Sequence, residues 1–349
     1  MAFDPTERVV VGRRGVRITR LGFGTAEIGG LYRPVSDDAA VAVVDAAWAH
    51  GIRYFDTAPL YGYGNGERRL GVALAGRRRD EFVVSSKVGR VLVPRDDIPP
   101  GADIDRQIRD GVEDGGYKGT PPVRVVFDYS ADGVMRSVEA SLERLGLDRL
   151  DILYIHDPDD HWEAAIRGAT PALHRLRDEG VVGAIGAGMN QWPMLARFAR
   201  EGDFDVFLLA SRYTLLDQSA LAELLPLCVE RGISIVAGGV MNTGLLADPR
   251  PGALFDYGTA PLEMVERAQR LRAVCDRHGV SLKDAAIQFP LAHPAVAAVV
   301  TGVRSIEHLD DYPRAYAAAI PAALWDELRA EGLIGADAPV PSPDAETAA

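Results

Sequence analysis

A chain of 349 residues, 47% apolar and 25% charged, has enough material for a large core without disulfide or metal staples. Its net charge of −12 excludes a generic nucleic-acid surface and disfavours an anionic membrane as partner. The two cysteines, Cys228 and Cys275, have neither metal-ligand spacing nor a disulfide framework around them, and read as free thiols in a reducing compartment. The first residues have no basic start and no apolar stretch, and no apolar run approaches the roughly 20 residues of a membrane span. The expectation is a cytoplasmic protein with no signal peptide.

Elements follow from periodicity in chain order. Val9 to Thr19 alternates around Gly12-Arg13-Arg14-Gly15 and predicts a β-hairpin ahead of the main fold. Leu21–Gly24 is a first strand. Asp37 to His50 has helical spacing, with Ser36 as N-cap and Gly51 as stop. Ile52–Phe55 is a second strand, Glu67–Ala75 a helix and Phe82–Ser86 a third strand. From about Val91 to Phe127 the chain is rich in Pro, Gly and Asp, which predicts a long functional loop or lid. Helix and strand then alternate: Ala131–Leu145, Leu150–Ile155, Trp162–Glu179, Val182–Ala187, Trp192–Arg200, Phe204–Leu209, Ser219–Arg231 and Ile233–Ala237. A Gly-rich loop runs to about Tyr257. Two helices (Leu262–His278 and Ser281–His293), an eighth strand (Val296–Val300) and two closing helices (Ile306–Ala318 and Ala322–Glu331) complete the pattern.

Eight strands alternating with helices predict a parallel (β/α)8 TIM barrel in one domain, residues 1–335, with an N-terminal β-hairpin and extra C-terminal helices. Residues 336–349 are Pro-, Ala- and Asp-rich and predict a disordered tail. A doubly wound open sheet is the rival. It lacks support because Gly22-Phe23-Gly24-Thr25-Ala26-Glu27 fails the dinucleotide-binding glycine template and no P-loop is present.

Four polar side chains lie at or just past successive strand ends: Asp56, Tyr61, Lys87 and His156. In a parallel barrel they emerge at one mouth, where such folds carry their chemistry. Each alone has a plainer reading: a helix-capping aspartate, a half-buried tyrosine, a solvated lysine or histidine. Together they suit the movement of one proton on or off an alcohol oxygen. A phenol ionises near ~10, and a neighbouring ammonium such as Lys87 is expected to lower that value. Asp56 would hold the lysine, and His156 would hydrogen-bond the substrate oxygen. No metal site is expected.

The segment Gly51-Ile-Arg-Tyr-Phe-Asp56-Thr-Ala-Pro-Leu-Tyr61-Gly, with Gly66-Glu67-Arg68-Arg69-Leu70-Gly71, resembles the signature of the aldo-keto reductases. So do Ser85-Ser86-Lys87 and Asp151-Ile152-Leu153-Tyr154-Ile155-His156-Asp157. The resemblance spans about Arg17 to Tyr312. It implies a (β/α)8 fold and metal-free hydride transfer with NAD or NADP, with Tyr61 as general acid/base, Lys87 tuning it, Asp56 pairing with Lys87 and His156 orienting the substrate. The stretches 127–137, 186–191 and 211–218 resemble the sugar-oxidising branch, which implies oxidation of an aldose at C1. A general aldehyde or ketone reductase and a pyridoxal-oxidising enzyme are the alternatives. A nucleotide-sensing, non-enzymatic subunit is a third possibility that the resemblance leaves open. The partner is a small sugar or aldehyde. Nothing in the sequence specifies an oligomeric state.

The same resemblance implies cofactor contacts. They begin with Gly24 and Thr25 after the first strand and include Asp56. Asn190 is expected to replace the usual carboxamide-binding pair, and Tyr213 to supply the stacking lost where an aromatic gives way to Gly238. Gly238, Gly239 and Leu245 belong to the glycine-bearing loop after the seventh strand. Gly302, Arg304, His308 and Asp311 follow the eighth and face the adenosine end. Arg304 could hold a 2′-phosphate, whereas Asp310 and Asp311 would repel one, so the cofactor reading leans to NAD or dual use.

Overall fold

The computed structural model describes residues 3–106, 108–109, 112–113 and 116–342. It opens with an antiparallel hairpin of β1 (Arg8–Val11) and β2 (Val16–Thr19). Next come β3 (Leu21–Gly24), α1 (Asp37–Ala49), β4 (Tyr54–Asp56), α2 (Asn65–Leu74) and β5 (Val83–Val88). An excursion follows, made of β6 (Arg90–Pro94), β7 (Ile104–Asp105), β8 (Ile108–Arg109), β9 (Val112–Glu113) and β10 (Val123–Phe127). Alternation resumes with α3 (Ala131–Leu145) and β11 (Ile152–His156). Then α4 (Trp162–Ala164) runs through a π-helical turn (Ala165–Ala169) into α5 (Thr170–Asp178). β12 (Ala184–Met189), α6 (Trp192–Glu201), β13 (Val206–Ala210), α7 (Leu224–Arg231) and β14 (Ser234–Gly238) continue the series. A small hairpin, β15 (Leu254–Phe255) and β16 (Gly258–Thr259), precedes α8 (Leu262–Arg277) and α9 (Leu282–Leu291). β17 (Val296–Gly302), α10 (Ile306–Ala317) and α11 (Ala322–Ala330) finish the described fold.

Eight of these strands close a parallel barrel in the order β11-β12-β13-β14-β17-β3-β4-β5. The last barrel strand therefore pairs with the first, Val299 opposite Leu21 and Gly302 opposite Gly24. Period-2 alternation sorts the side chains. Phe23, Phe55, Leu153 and Phe207 point outward into the shell of helices. Tyr54, Tyr154, Val206, Val236 and Ala298 point inward and pack with Val11 and Ile18 of the hairpin, which plugs one end. The helices start where local chemistry favours them. Ser36 Oγ accepts the Ala39 N–H at 3.3 Å, and Ala40, Val43, Val44 and Ala47 form the buried stripe of α1. Ser130 Oγ accepts the Gly133 N–H at 3.0 Å to start α3, and Gly146 ends it in the left-handed region.

Two expectations change. The 91–127 stretch is not an irregular loop, because β6, β10 and β7 form a three-stranded antiparallel sheet with Arg90 opposite Phe127 and Leu92 opposite Val125. Arg90–Val93 and Val123–Val126 are rich in β-branched valine, and Pro100–Gly101 forms a turn between them. Leu92 and Val125 pack with Leu60, Tyr63 and Leu31 near the barrel mouth. Residues 107, 110–111 and 114–115 of this stretch lie outside the described residues. The segment from 336, expected as a disordered tail, is packed at its start. Ala338 is buried, and Arg329 Nη2 donates to its carbonyl at 2.8 Å. Residues 343–349 lie outside the described residues.

Candidate active site

Alternation determines which strand-end groups face the barrel axis. Tyr54 and Asp56 share one side of β4, Ser85 and Lys87 one side of β5, and Tyr154 and His156 one side of β11. A polar chain runs up the interior. The Tyr154 and Tyr54 hydroxyls are 3.3 Å apart, Tyr54 is 3.1 Å from Ser85 Oγ, and Ser85 Oγ donates to Asp56 Oδ1 at 2.7 Å. At its top Lys87 Nζ donates to Asp56 Oδ2 at 2.7 Å and to the Thr57 carbonyl at 2.9 Å. Lys87 and Asp56 are both only 2% exposed, so this is a buried ion pair completed by hydrogen bonds. On the outward side of β5, Ser86 Oγ donates to the buried carboxylate of Glu67 at 2.8 Å, and Arg144 meets the other oxygen at 2.6 Å. These contacts fasten the strand carrying Lys87 to α2 and α3.

Tyr61 is held by the turn after β4. Its N–H donates to the Ala58 carbonyl at 3.0 Å, and its carbonyl accepts the Gly66 N–H at 2.9 Å. Gly62, at φ +64°, abuts the segment after β3 so closely that a Cβ would lie 2.1 Å from the Gly29 carbonyl oxygen. The turn thereby aims Tyr61 into the mouth. Lys87 Nζ is 4.6 Å from the Tyr61 ring centroid, and the His156 ring meets Tyr61 edge-on at 5.9 Å. Asp56, Tyr61, Lys87 and His156 therefore converge.

The electrostatics depart from the sequence reading at one point. Burial raises the Tyr61 phenol well above its ordinary value, and the charge of Asp56 adds to the rise. Lys87 does not offset this, because its charge is matched by Asp56 at 2.7 Å. Burial, then Arg90 and Lys87, holds His156 well below its ordinary value, so the imidazole is neutral at physiological pH. The Tyr129 hydroxyl donates to the His156 carbonyl at 2.7 Å and fixes that strand end.

Two cavities meet at Tyr61. The larger, about 410 Å³, runs outward past Gly24, Gly238, Gly239 and Gly302 to Arg304. The smaller, about 210 Å³, is walled by Tyr61, Lys87, His156, Arg90, Asp157 and Asn190. Tyr257, at the tip of the β15–β16 hairpin, borders both. The neighbouring Asp256 is gripped by both Arg212 terminal nitrogens at 2.9 and 2.7 Å, which anchors that tip.

The expected cofactor residues divide accordingly. Gly24, Asp56, Gly238, Gly239, Gly302 and Arg304 line the larger cavity, as do His308 and Asp311. Asn190 borders the smaller one instead, and its amide donates to the Ala210 carbonyl at 3.4 Å. Thr25 is buried behind the wall, where its hydroxyl bonds that of Thr57 at 2.7 Å. Two placements are corrected. Tyr213 lines neither cavity, because its ring is buried against Phe289 and His293 at 5.3 and 5.5 Å. Leu245 is fully buried in the shell between strands and helices.

Glu27, Lys283, Arg90 and Tyr257 were absent from the expectations. Glu27 Oε2 lies 3.0 Å from Arg304, and Lys283 Nζ lies 2.9 Å from Asp311. Only Glu27 carried a signal, standing three residues after Gly24. Among the described residues no group of three or more His, Cys, Asp and Glu is arranged to hold a metal ion, and no helix is long and apolar enough to cross a membrane.

Residues 20–331 match the model of the Aldo/keto reductase family. The chain is 45% identical over 324 residues to a D-threo-aldose 1-dehydrogenase of a Pseudomonas species, covering 92% of this chain and 96% of that protein. It is 42% identical over 348 residues to a pyridoxal 4-dehydrogenase of Microbacterium luteolum, covering 96% of this chain and all (100%) of the other. An aldo-keto reductase from Bacillus halodurans, solved in its holo form, superposes with a TM-score of 0.71 at 25% identity, over 97% of this chain and 99% of that one.

Proposed function

The chain belongs to the aldo/keto reductase family, an NAD(P)-dependent family of oxidoreductases acting between hydroxyl and carbonyl groups, and we propose that it oxidises an aldose at C1 to the lactone. The observation that carries this reading is the 45% identity to D-threo-aldose 1-dehydrogenase across 92% of the chain. The larger cavity suits a dinucleotide. Its wall is bare backbone at Gly239, where a Cβ would lie 2.4 Å from Ser211 Oγ, and at Gly302, where one would lie 3.3 Å from Glu27 Cγ. Backbone free of side chains lets N–H groups approach a pyrophosphate, and Arg304 adds a cation on the same wall.

Residues of the larger cavity would hold the cofactor, whose nicotinamide would supply the acceptor for the hydride released from C1. This chain's residues supply the proton chemistry. Tyr61 takes the proton of the anomeric hydroxyl, so the O–H and C1–H bonds break as the C1=O bond forms. Neutral His156 hydrogen-bonds the reacting oxygen, and the Lys87–Asp56 pair holds the base of the site rigid. We infer NAD, or dual use, because Glu27 at 3.0 Å already matches the charge of Arg304, the cation nearest a 2′-phosphate in this reading.

A second reading is favoured by the 42% identity to pyridoxal 4-dehydrogenase over its full length. Aldoses and pyridoxal share one feature, an aldehyde closed by a neighbouring hydroxyl into a cyclic hemiacetal, so both readings ask the site for the same bond changes. The test is turnover of L-fucose, D-arabinose, L-galactose and pyridoxal with NAD and with NADP, followed by the absorbance of the reduced nicotinamide. Turnover of an aldose with lactone as product is expected. Turnover of pyridoxal alone, or of no hemiacetal, removes the aldose reading.

A further inference from the structure

The smaller cavity contains two charged side chains that the proton chemistry does not use. Arg90 is 7% exposed and follows Lys87 by three positions. Gly89, at φ +99°, bends the chain off the barrel so tightly that a Cβ would lie 2.0 Å from the Tyr129 ring, and this turn swings Arg90 over the mouth. Asp157 immediately follows His156. Its backbone is in the left-handed region (φ +37°), a conformation that asparagine and aspartate tolerate better than most residues. It is fixed there by its own N–H donating to the Gly188 carbonyl at 3.1 Å and by the Tyr129 hydroxyl reaching its carbonyl at 3.1 Å.

The distances show what these charges are free to do. Lys87 and Asp56 meet at 2.7 Å, a full charge-assisted hydrogen bond. Arg90 Nη1 stands 3.4 Å from Asp157 Oδ2, and Arg90 Nε stands 3.3 Å from Asp105 Oδ2. His156 Nε2 stands 3.5 Å from the same Asp157 oxygen. These contacts balance charge but are longer than the ~2.7–2.9 Å of a charge-assisted hydrogen bond, so capacity remains for a third party. All three residues border one cavity of about 210 Å³ together with Tyr61.

A carboxylate only accepts, a guanidinium only donates, and a hydroxyl does both. We propose that Arg90 and Asp157 are specificity residues that grip a hydroxyl group of the substrate beside its reacting carbon, so that the site selects uncharged, hydroxyl-bearing substrates over bare aldehydes and ketones. The hydroxyl donates to Asp157 and accepts from Arg90, and each charge keeps its opposite, so no net charge is asked of the substrate. A substrate without that hydroxyl leaves the partly buried Asp157 carboxylate with only its longer contacts to Arg90 and His156, and loses the hydrogen bonds to both charges. The inference deepens the proposed function by naming what recognises the sugar, and it rests on that reading for the identity of the physiological substrate.

The test uses the reductive direction, which needs no anomeric chemistry. D-glyceraldehyde and propanal have the same carbon count and differ in hydroxyls. The wild-type enzyme should reduce glyceraldehyde with a kcat/KM about 10–10²-fold above that for propanal, the range of a hydrogen bond to a charged group. Asp157→Asn, which keeps the shape, should bring that ratio to within a fewfold of one. Arg90→Lys, which keeps the charge and loses the fork, should reduce it partly. Circular dichroism and cofactor affinity confirm that each variant is folded. Wild-type enzyme with no preference for glyceraldehyde overturns the proposal, as does an unchanged ratio in a folded Asp157→Asn. If no aldose is oxidised but the hydroxyl preference and its loss are seen, the aldose reading fails and the recognition pair stands.

Discussion

The buried pair of Lys87 and Asp56 makes the sharpest energetic prediction. At 2.7 Å and an effective dielectric near 20, two unit charges attract by about 6 kcal/mol. Most of that attraction offsets the cost of taking both charges out of water. Removing one partner leaves the cost without the attraction. Lys87→Met removes the ammonium at nearly constant volume and leaves the Asp56 carboxylate with Ser85 as its remaining donor. The expected loss is about 3–5 kcal/mol of stability. At roughly 2 °C per kcal/mol for a chain of this size, the melting temperature falls by about 6–10 °C. Asp56→Asn alone costs less, because the stranded lysine can shed its proton. In the double variant no charge is stranded, so its destabilisation is smaller than the sum of the singles by about 2 kcal/mol or more. The assay is urea denaturation of the three variants followed by circular dichroism, in a double-mutant cycle. Additivity of the singles to within about 0.5 kcal/mol would show that the two charges do not stabilise each other and would refute the reasoning.

Three further outcomes are expected. Tyr61→Phe lowers kcat by about 10²–10⁴-fold at unchanged melting temperature, and a near-normal kcat excludes Tyr61 as the proton carrier. Because the phenol is held well above its ordinary value, it is protonated at neutral pH. Oxidation needs the phenolate, so its kcat climbs as pH rises into the alkaline range. Reduction needs the phenol, so its kcat stays level there and falls only where the phenol ionises; parallel profiles in the two directions contradict this assignment. Glu27→Gln leaves Arg304 without its carboxylate partner and should raise kcat/KM for NADP relative to NAD by about tenfold, whereas an unchanged ratio places the 2′ position away from Glu27.

The parts of the fold legible in the sequence were those governed by period. Apolar runs closing at Asp56, Lys87 and His156 mark the strand ends, and in the structure the pleat of those strands brings Asp56, Lys87 and His156 to one mouth beside Tyr61. Compositional reading did less well. The 91–127 stretch looked irregular because its prolines and glycines outnumber its short strands, yet Val91, Val93 and Val125 carry an antiparallel sheet. Tyr213 takes another place because the family resemblance implies a stacking aromatic without saying which residue supplies it; Phe289 and His293 claim this one. The expected lowering of Tyr61 by Lys87 is outweighed by burial and by Asp56, which also meets the lysine's charge at 2.7 Å. Arg90 was missed because Gly89 breaks the strand alternation that pointed to its neighbours.

The pairing of β3 with β17 joins the two ends of the barrel across nearly the whole chain. Gly24 and Gly302, opposite each other on this seam, are also two walls of the larger cavity. That cleft does not exist until the ring is closed, so its completion waits on the strand pairing of greatest sequence separation. A dinucleotide lying along it, as proposed, would act as a clasp, since its affinity would be available only to the closed ring. The holoenzyme should then differ from the apoprotein most in how seldom this one seam opens, and amide exchange at residues 21–24 and 299–302 is where that protection is greatest.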